Sequence, residues 1–126
     1  MAGTALDLLN TPFGIALDPI KNGIYVSDDG NHRVVYFPVD VRNGTIVAGN
    51  NTAGVAPTQL NRPRGVYFDS ISNSIIIANQ GASNIVRWSI GASNWTLVAG
   101  SLSGGASSAS NRFRSPEDVI LDPMNN

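Results

Sequence analysis

His32 is the only histidine of this chain, and it stands in the run Asp28-Asp29-Gly30-Asn31-His32-Arg33, where an imidazole beside two carboxylates has the makings of a metal site. Asp18, Asp69 and Asp122 offer carboxylates at recurring places, the raw material of paired acid–base chemistry. Arg62, Arg64, Arg112 and Arg114 sit just ahead of apolar runs and suit an anion or the phosphates of an RNA. Each group also has a plainer structural use. One imidazole falls short of the three protein ligands a catalytic zinc takes, and His32 has no evident serine or cysteine nucleophile to serve. The run from Asp28 to Arg33 is rich in turn formers, so it reads as a hairpin turn whose side chains bond turn backbone. The arginines have carboxylates to pair with in Asp28, Asp29, Glu117 and Asp118, and RNA bases would also need exposed aromatic platforms that are not evident beside them. Carboxylates repeated at one place in every unit, as Asp18, Asp69 and Asp122 are, point to the capping of a turn.

The elements that position these residues are set by an internal repeat. Leu9-Asn-Thr-Pro12-Phe-Gly14-Ile-Ala-Leu-Asp18 returns as Leu60-Asn-Arg-Pro63-Arg-Gly65-Val-Tyr-Phe-Asp69 and again as Phe113-Arg-Ser-Pro116-Glu-Asp118-Val-Ile-Leu-Asp122. The prolines are 51 and then 53 residues apart, a period that signals stacked repeats. The 126 residues divide into a first repeat over 9–59, a second over 60–112 and a partial third over 113–126, all in one domain.

Within a unit, four short runs rich in β-branched and aromatic residues alternate with Asp-Pro, Asn-Gly, Asp-Gly and Gly-Ala-Ser clusters. They predict antiparallel strands at 14–18, 23–28, 33–38 and 44–48, and at 65–69, 74–78, 84–89 and 95–99. No stretch sustains a helical period. Consecutive apolar residues such as Ile75-Ile76-Ile77 predict a sheet covered on both faces. Gly54 and Gly105 hold the same place in the two links between units, which suggests either a required positive φ or flexible filler.

The segments Pro12-Phe-Gly14-Ile-Ala-Leu-Asp18, Ile24-Tyr-Val-Ser-Asp28 and Gly30-Asn31-His32-Arg33-Val34 resemble the NHL repeat family, as do the Val47-Ala-Gly49 and Val98-Ala-Gly100 endings. The second unit departs from the signature, with Ala82-Ser83-Asn84-Ile85 in its place, and the third has Asp118 where the glycine would stand. The resemblance implies an all-β fold of four-stranded propeller blades, commonly six to a ring, often used to bind protein or RNA. One branch of the family is a metal-dependent lyase of amidated peptides, which needs several histidines.

Two and a quarter repeats do not close a ring. Met1-Ala2-Gly3 aligns with Val98-Ala99-Gly100, so the chain opens at the tail of a fourth strand and closes after a surplus first strand. Exposed blade flanks predict self-association, and three chains of two blades each would make six. The surplus strand complicates that arithmetic.

Eight basic against nine acidic groups give no long-range field for a polyanion, and no stretch approaches the ~20 apolar residues of a membrane span. There is no cysteine, hence no disulfide framework. Three Asn-x-Thr triplets, at Asn43, Asn50 and Asn94, are too few in an Asn-rich chain to place it in a compartment. The expectation is a non-enzymatic interaction scaffold without a cofactor, partnered by copies of itself and by a protein or peptide. Its binding face is expected at Asp28, Asp29, Asn31, His32, Arg33, Arg62, Arg64, Asn79, Gln80, Arg112 and Arg114.

Overall fold

The structure, a computed structural model, describes residue 3, residues 5–100, residue 116 and residues 118–120. Eight strands form along it: β1 (Pro12–Leu17), β2 (Ile24–Asp28), β3 (Arg33–Phe37), β4 (Thr45–Gly49), β5 (Pro63–Asp69), β6 (Ser74–Asn79), β7 (Asn84–Ser89) and β8 (Thr96–Gly100). Each predicted strand agrees to within a residue or two. Neighbours in sequence pair antiparallel, giving two four-stranded sheets ordered β1-β2-β3-β4 and β5-β6-β7-β8. Among the described residues the only helical turns are of the 3-10 type, at Asp29–Asn31 and Gln80–Ala82. Arg112, Arg114, Glu117 and Asp122 lie outside the described residues.

The two sheets repeat each other down to their irregularities. A bulge interrupts β1 against β2 between Pro12 and Ile15, and β5 against β6 between Pro63 and Val66. A proline has no N–H for the ladder, so pairing slips where it enters the strand. A second bulge lies between Val34 and Val35 and returns between Ile85 and Val86.

Period-two alternation then decides which side chains meet. In the second sheet Val66, Ile75, Ile77, Val86 and Trp88 share one face and are buried together with Tyr25, Val34 and Ala48 of the first sheet. Tyr25 stacks on Phe68 with ring centroids 5.0 Å apart and touches Tyr36 at 4.8 Å. Burial in this seam, with the Asp18 carboxylate and Tyr36 adding to it, pushes the Tyr25 hydroxyl up to about 12. The closest approach is at Gly14, where a Cβ would fall 2.5 Å from the Arg64 carbonyl oxygen. Ser27 Oγ accepts the Gly14 N–H at 2.7 Å and donates across the seam to that same Arg64 carbonyl.

The other face of the second sheet holds Ile76, Ala78 and Ile85, with Ala99 and Val119 packed against them. β6 is therefore buried along its whole length, as its unbroken apolar run predicts. β1 is different. Phe13, Ile15 and Leu17 remain largely exposed on it.

The link into the second sheet is structured. Leu60 is fully buried, Gln59 N–H donates to Ala56 O, and Trp95 N–H donates to Pro57 O. Residues 5–8 lie on the first sheet in the same way: Leu8 N–H donates to Ala5 O and Gly44 N–H to Leu6 O. Gly54 does not adopt a positive φ; among the described residues the left-handed glycines are Gly49, Gly91 and Gly100. At Gly54 a Cβ would meet only the far end of the Gln59 side chain, which can move aside. At Gly49 φ is 85° and a Cβ would meet the His32 carbonyl.

Candidate functional site

The end of β2 turns through the 3-10 turn at Asp29–Asn31 into His32, which is left-handed (φ 55°, ψ 46°), and so into β3. Ser83 takes the same conformation between β6 and β7. These turns bring together most of the residues expected on a binding face, but they mainly turn them inward.

Arg33 and Asp28 are fully buried. Arg33 Nε donates to Asp28 Oδ2 at 2.7 Å, and its Nη2 donates to Leu8 O at 2.9 Å and Ala5 O at 3.1 Å. Asn51 Oδ1 accepts from Nη1 at 3.2 Å. Asp28 also accepts the Asn10 N–H at 2.7 Å and the Asn31 amide at 2.8 Å. The carboxylate thus bonds the segment entering β1 and two neighbouring side chains, where the sequence pattern predicts bonds to turn backbone. A buried charge is tolerated only when paired and hydrogen-bonded, and here both ions are.

Asp29 is buried beneath Arg62 and Arg64. Arg64 Nε donates to Asp29 Oδ2 at 3.1 Å, while Arg62 Nη2 lies 2.9 Å from Oδ1 without hydrogen-bond alignment, so that contact is Coulombic. The pairing of these arginines with a carboxylate is as expected. Arg64 also lies over the Phe13 ring, 4.7 Å from its centroid. His32 Nδ1 accepts the Arg62 backbone N–H at 3.1 Å, which requires the neutral imidazole. Partial burial and the Arg62 charge push its pKa below the ordinary histidine value, against the opposite pull of Asp29 and Asp28. Asn79 is buried, its Oδ1 accepting the Asn61 N–H, and Gln80 is half-buried with its backbone N–H on Arg62 O. Of the expected face, only Arg62 is exposed among the described residues. No three His, Asp or Glu side chains gather as metal ligands among those residues.

Asp18 and Asp69 cap turns as expected. Asp18 Oδ1 accepts the N–H groups of Ile20 and Lys21, and Asp69 accepts from Ile71 N–H, Ser72 Oγ and Arg87 Nη1. The Ser72 hydrogen bond, with help from Arg87 and the turn backbone, holds the Asp69 carboxyl below its usual range despite burial.

An open apolar row lies elsewhere. Ile15 is 69% exposed, whereas Val66, its counterpart in the second sheet, is 7% exposed. Phe13 and Leu17 flank Ile15 at 54% and 59%. A groove of about 420 Å³ runs between β1 and β5, walled by Ile15, Leu17, Pro19, Val66 and Phe68. The alternation Phe13-x-Ile15-x-Leu17 is visible in the sequence, but which face is left open depends on what stacks beside it.

No family model and no curated protein matches the chain.

Proposed function

We propose that the chain is a non-enzymatic propeller segment of the NHL type that serves as an interaction scaffold, with the outer flank of β1 as its principal contact surface. The carrying observation is the contrast across the repeat: Ile15 is open to water where Val66 is enclosed. The seam between the two sheets is a worked example of what covers such a flank, namely the opposite face of another unit. Burying a side chain such as Ile15 or Leu17 is worth about 1.5–3 kcal/mol, so the three open residues give a strong drive to acquire that cover. A second copy supplies it, and three copies of two sheets each complete a six-bladed ring.

The geometry favours this reading over the alternatives weighed. The sole histidine is engaged through Nδ1 with the Arg62 backbone, and Arg64 is committed to Asp29 and Phe13. An RNA-binding face would want those cations unpaired.

Light scattering across a concentration series tests it. We expect a mass of three chains at high concentration, and Ile15→Asp is expected to return the protein to a folded single chain. A well-folded wild-type monomer at every concentration would sink the proposal.

A further inference from the structure

We propose that Pro116 and residues 118–120 belong to an exchangeable cap, seated through Val119 on the second sheet in the place that β1 of a second copy takes on association. The inference rests on the scaffold reading above and concerns how its contact surface is regulated.

Two observations carry it. Val119 packs on Ile76, Ala78 and Ile85. Matching Pro116 to Pro63 puts Val119 in register with Val66, the residue through which β5 enters the core it shares with Tyr25 and Val34. Matching Pro116 to Pro12 puts Val119 in register with Ile15. The stretch therefore sits on the second sheet as β5 sits on the first, in a seat that also suits β1.

The second observation is at position 118. The first two units have glycine there, Gly14 and Gly65. At Gly14 the following strand presses so close that a Cβ would fall 2.5 Å from the Arg64 carbonyl oxygen and 3.3 Å from Ser27 Oγ. Asp118 brings both a Cβ and a charge to that side, and it is exposed, its Oδ1 accepting the Val119 N–H at 2.8 Å. A further sheet stacked in the same manner would strike Asp118 and bury its carboxylate unpaired. The stretch covers one face and rejects the next unit, the design of a terminal cap with a polar outer side.

β1 lacks this block, because Gly14 admits the next strand. Exchanging the cap for β1 also buries Ile15 and Leu17, which are open in the single chain. Capped single chains and assembled chains are thus alternative occupants of one seat, and the cap raises the concentration at which chains associate.

The test compares the full-length protein with Val119→Asp by light scattering over a concentration series. A buried carboxylate unseats the cap, so the midpoint of association is expected to fall by about tenfold or more. Adding Ile15→Asp is expected to abolish association in both backgrounds, separating seating of β1 from aggregation through the bared face. A chain ending at Arg112 removes the cap outright and is expected to behave as Val119→Asp does, so it decides the matter if the point variant does not fold. If the wild type associates and uncapping leaves its midpoint unchanged or raises it, the cap is refuted and the scaffold reading stands. If the wild type stays a folded single chain at every concentration, both fall together.

Discussion

The two turns that join the second and third strands of each sheet have one backbone and two chemistries. In the first, a buried Asp28–Arg33 ion pair spans the turn; in the second, Asn79 Nδ2 donates to Asn84 Oδ1 at 3.0 Å in its place. The common scaffold is the carbonyl-like oxygen at the first position: Asp28 Oδ1 accepts Asn10 N–H at 2.7 Å, and Asn79 Oδ1 accepts Asn61 N–H at 2.8 Å. Beyond it the units diverge in a compensated way. Arg33 reaches the Leu8 carbonyl, and the carbonyl matching it in the second unit is that of Gln59. Trp95 Nε1 donates to Gln59 O instead, at 2.8 Å, and the residue matching Trp95 in the first unit is Gly44. The carbonyl must be satisfied, and it can be by a guanidinium from one side or an indole from the other.

That comparison is sharpest when one charge is removed. Arg33→Ala leaves the Asp28 carboxylate buried without its cation and strips donors from Ala5 and Leu8, so a loss of about 3–5 kcal/mol is expected. Asn84→Ala removes the neutral acceptor of the Asn79 amide and strands no ion, at about 1–3 kcal/mol. Urea unfolding of the two variants measures both. Equal losses would mean that the ion pair carries no more than the amide pair.

A smaller effect is expected from converting the first turn to the chemistry of the second. Asp28→Asn with Arg33→Asn removes both charges together, so no ion is stranded, and the residual loss is the unmet Ala5 and Leu8 carbonyls. We expect about 1–3 kcal/mol, less than Arg33→Ala alone. A double variant worse than the single one would show that the fold at this turn requires charge.

How much of this was legible follows from the range of the interactions. Strand positions, pairing order and the Asp18 and Asp69 caps are local: β-branched runs and turn formers lie within a few residues of what they determine, and the repeat states each of them twice. The inward turn of Arg33 was not legible, because beyond Asp28 and Asn51 it is held by the backbone carbonyls of Ala5 and Leu8, and a carbonyl has no sequence signature. Gly54 misleads for a related reason. The recurring glycine suggests either a required positive φ or flexible filler, and the structure gives Gly54 no positive φ, whereas Gly49, which the recurrence of the link does not single out, is left-handed. The open flank of β1 has the same alternation as its buried counterpart, so only stacking separates them.

The smallest predicted difference between the turns is their response to acid. His32 and Ser83 occupy the same left-handed position, but only His32 titrates. Its folded pKa lies below 6.5, so above that pH both states are neutral and the turn has its full stability. As pH falls below 6.5 the unfolded chain takes up a proton first, and stability is lost progressively down to the folded pKa. Protonating Nδ1 would also remove the acceptor for the Arg62 N–H. Asp69 is separable, because its depressed pKa makes its contribution full above 3.8 and lost only as pH falls through the lower folded value. His32→Ser gives the first turn the residue its twin already carries in that conformation. It should cost about 0.5–1.5 kcal/mol at neutral pH through the lost acceptor, and it should flatten stability against pH below 6.5, down to the lowered folded value. Urea midpoints across that range measure the slope, and the single imidazole resonance follows the titration directly. A histidine that titrates above 6.5, or a slope that survives His32→Ser, would place the acid sensitivity outside this turn.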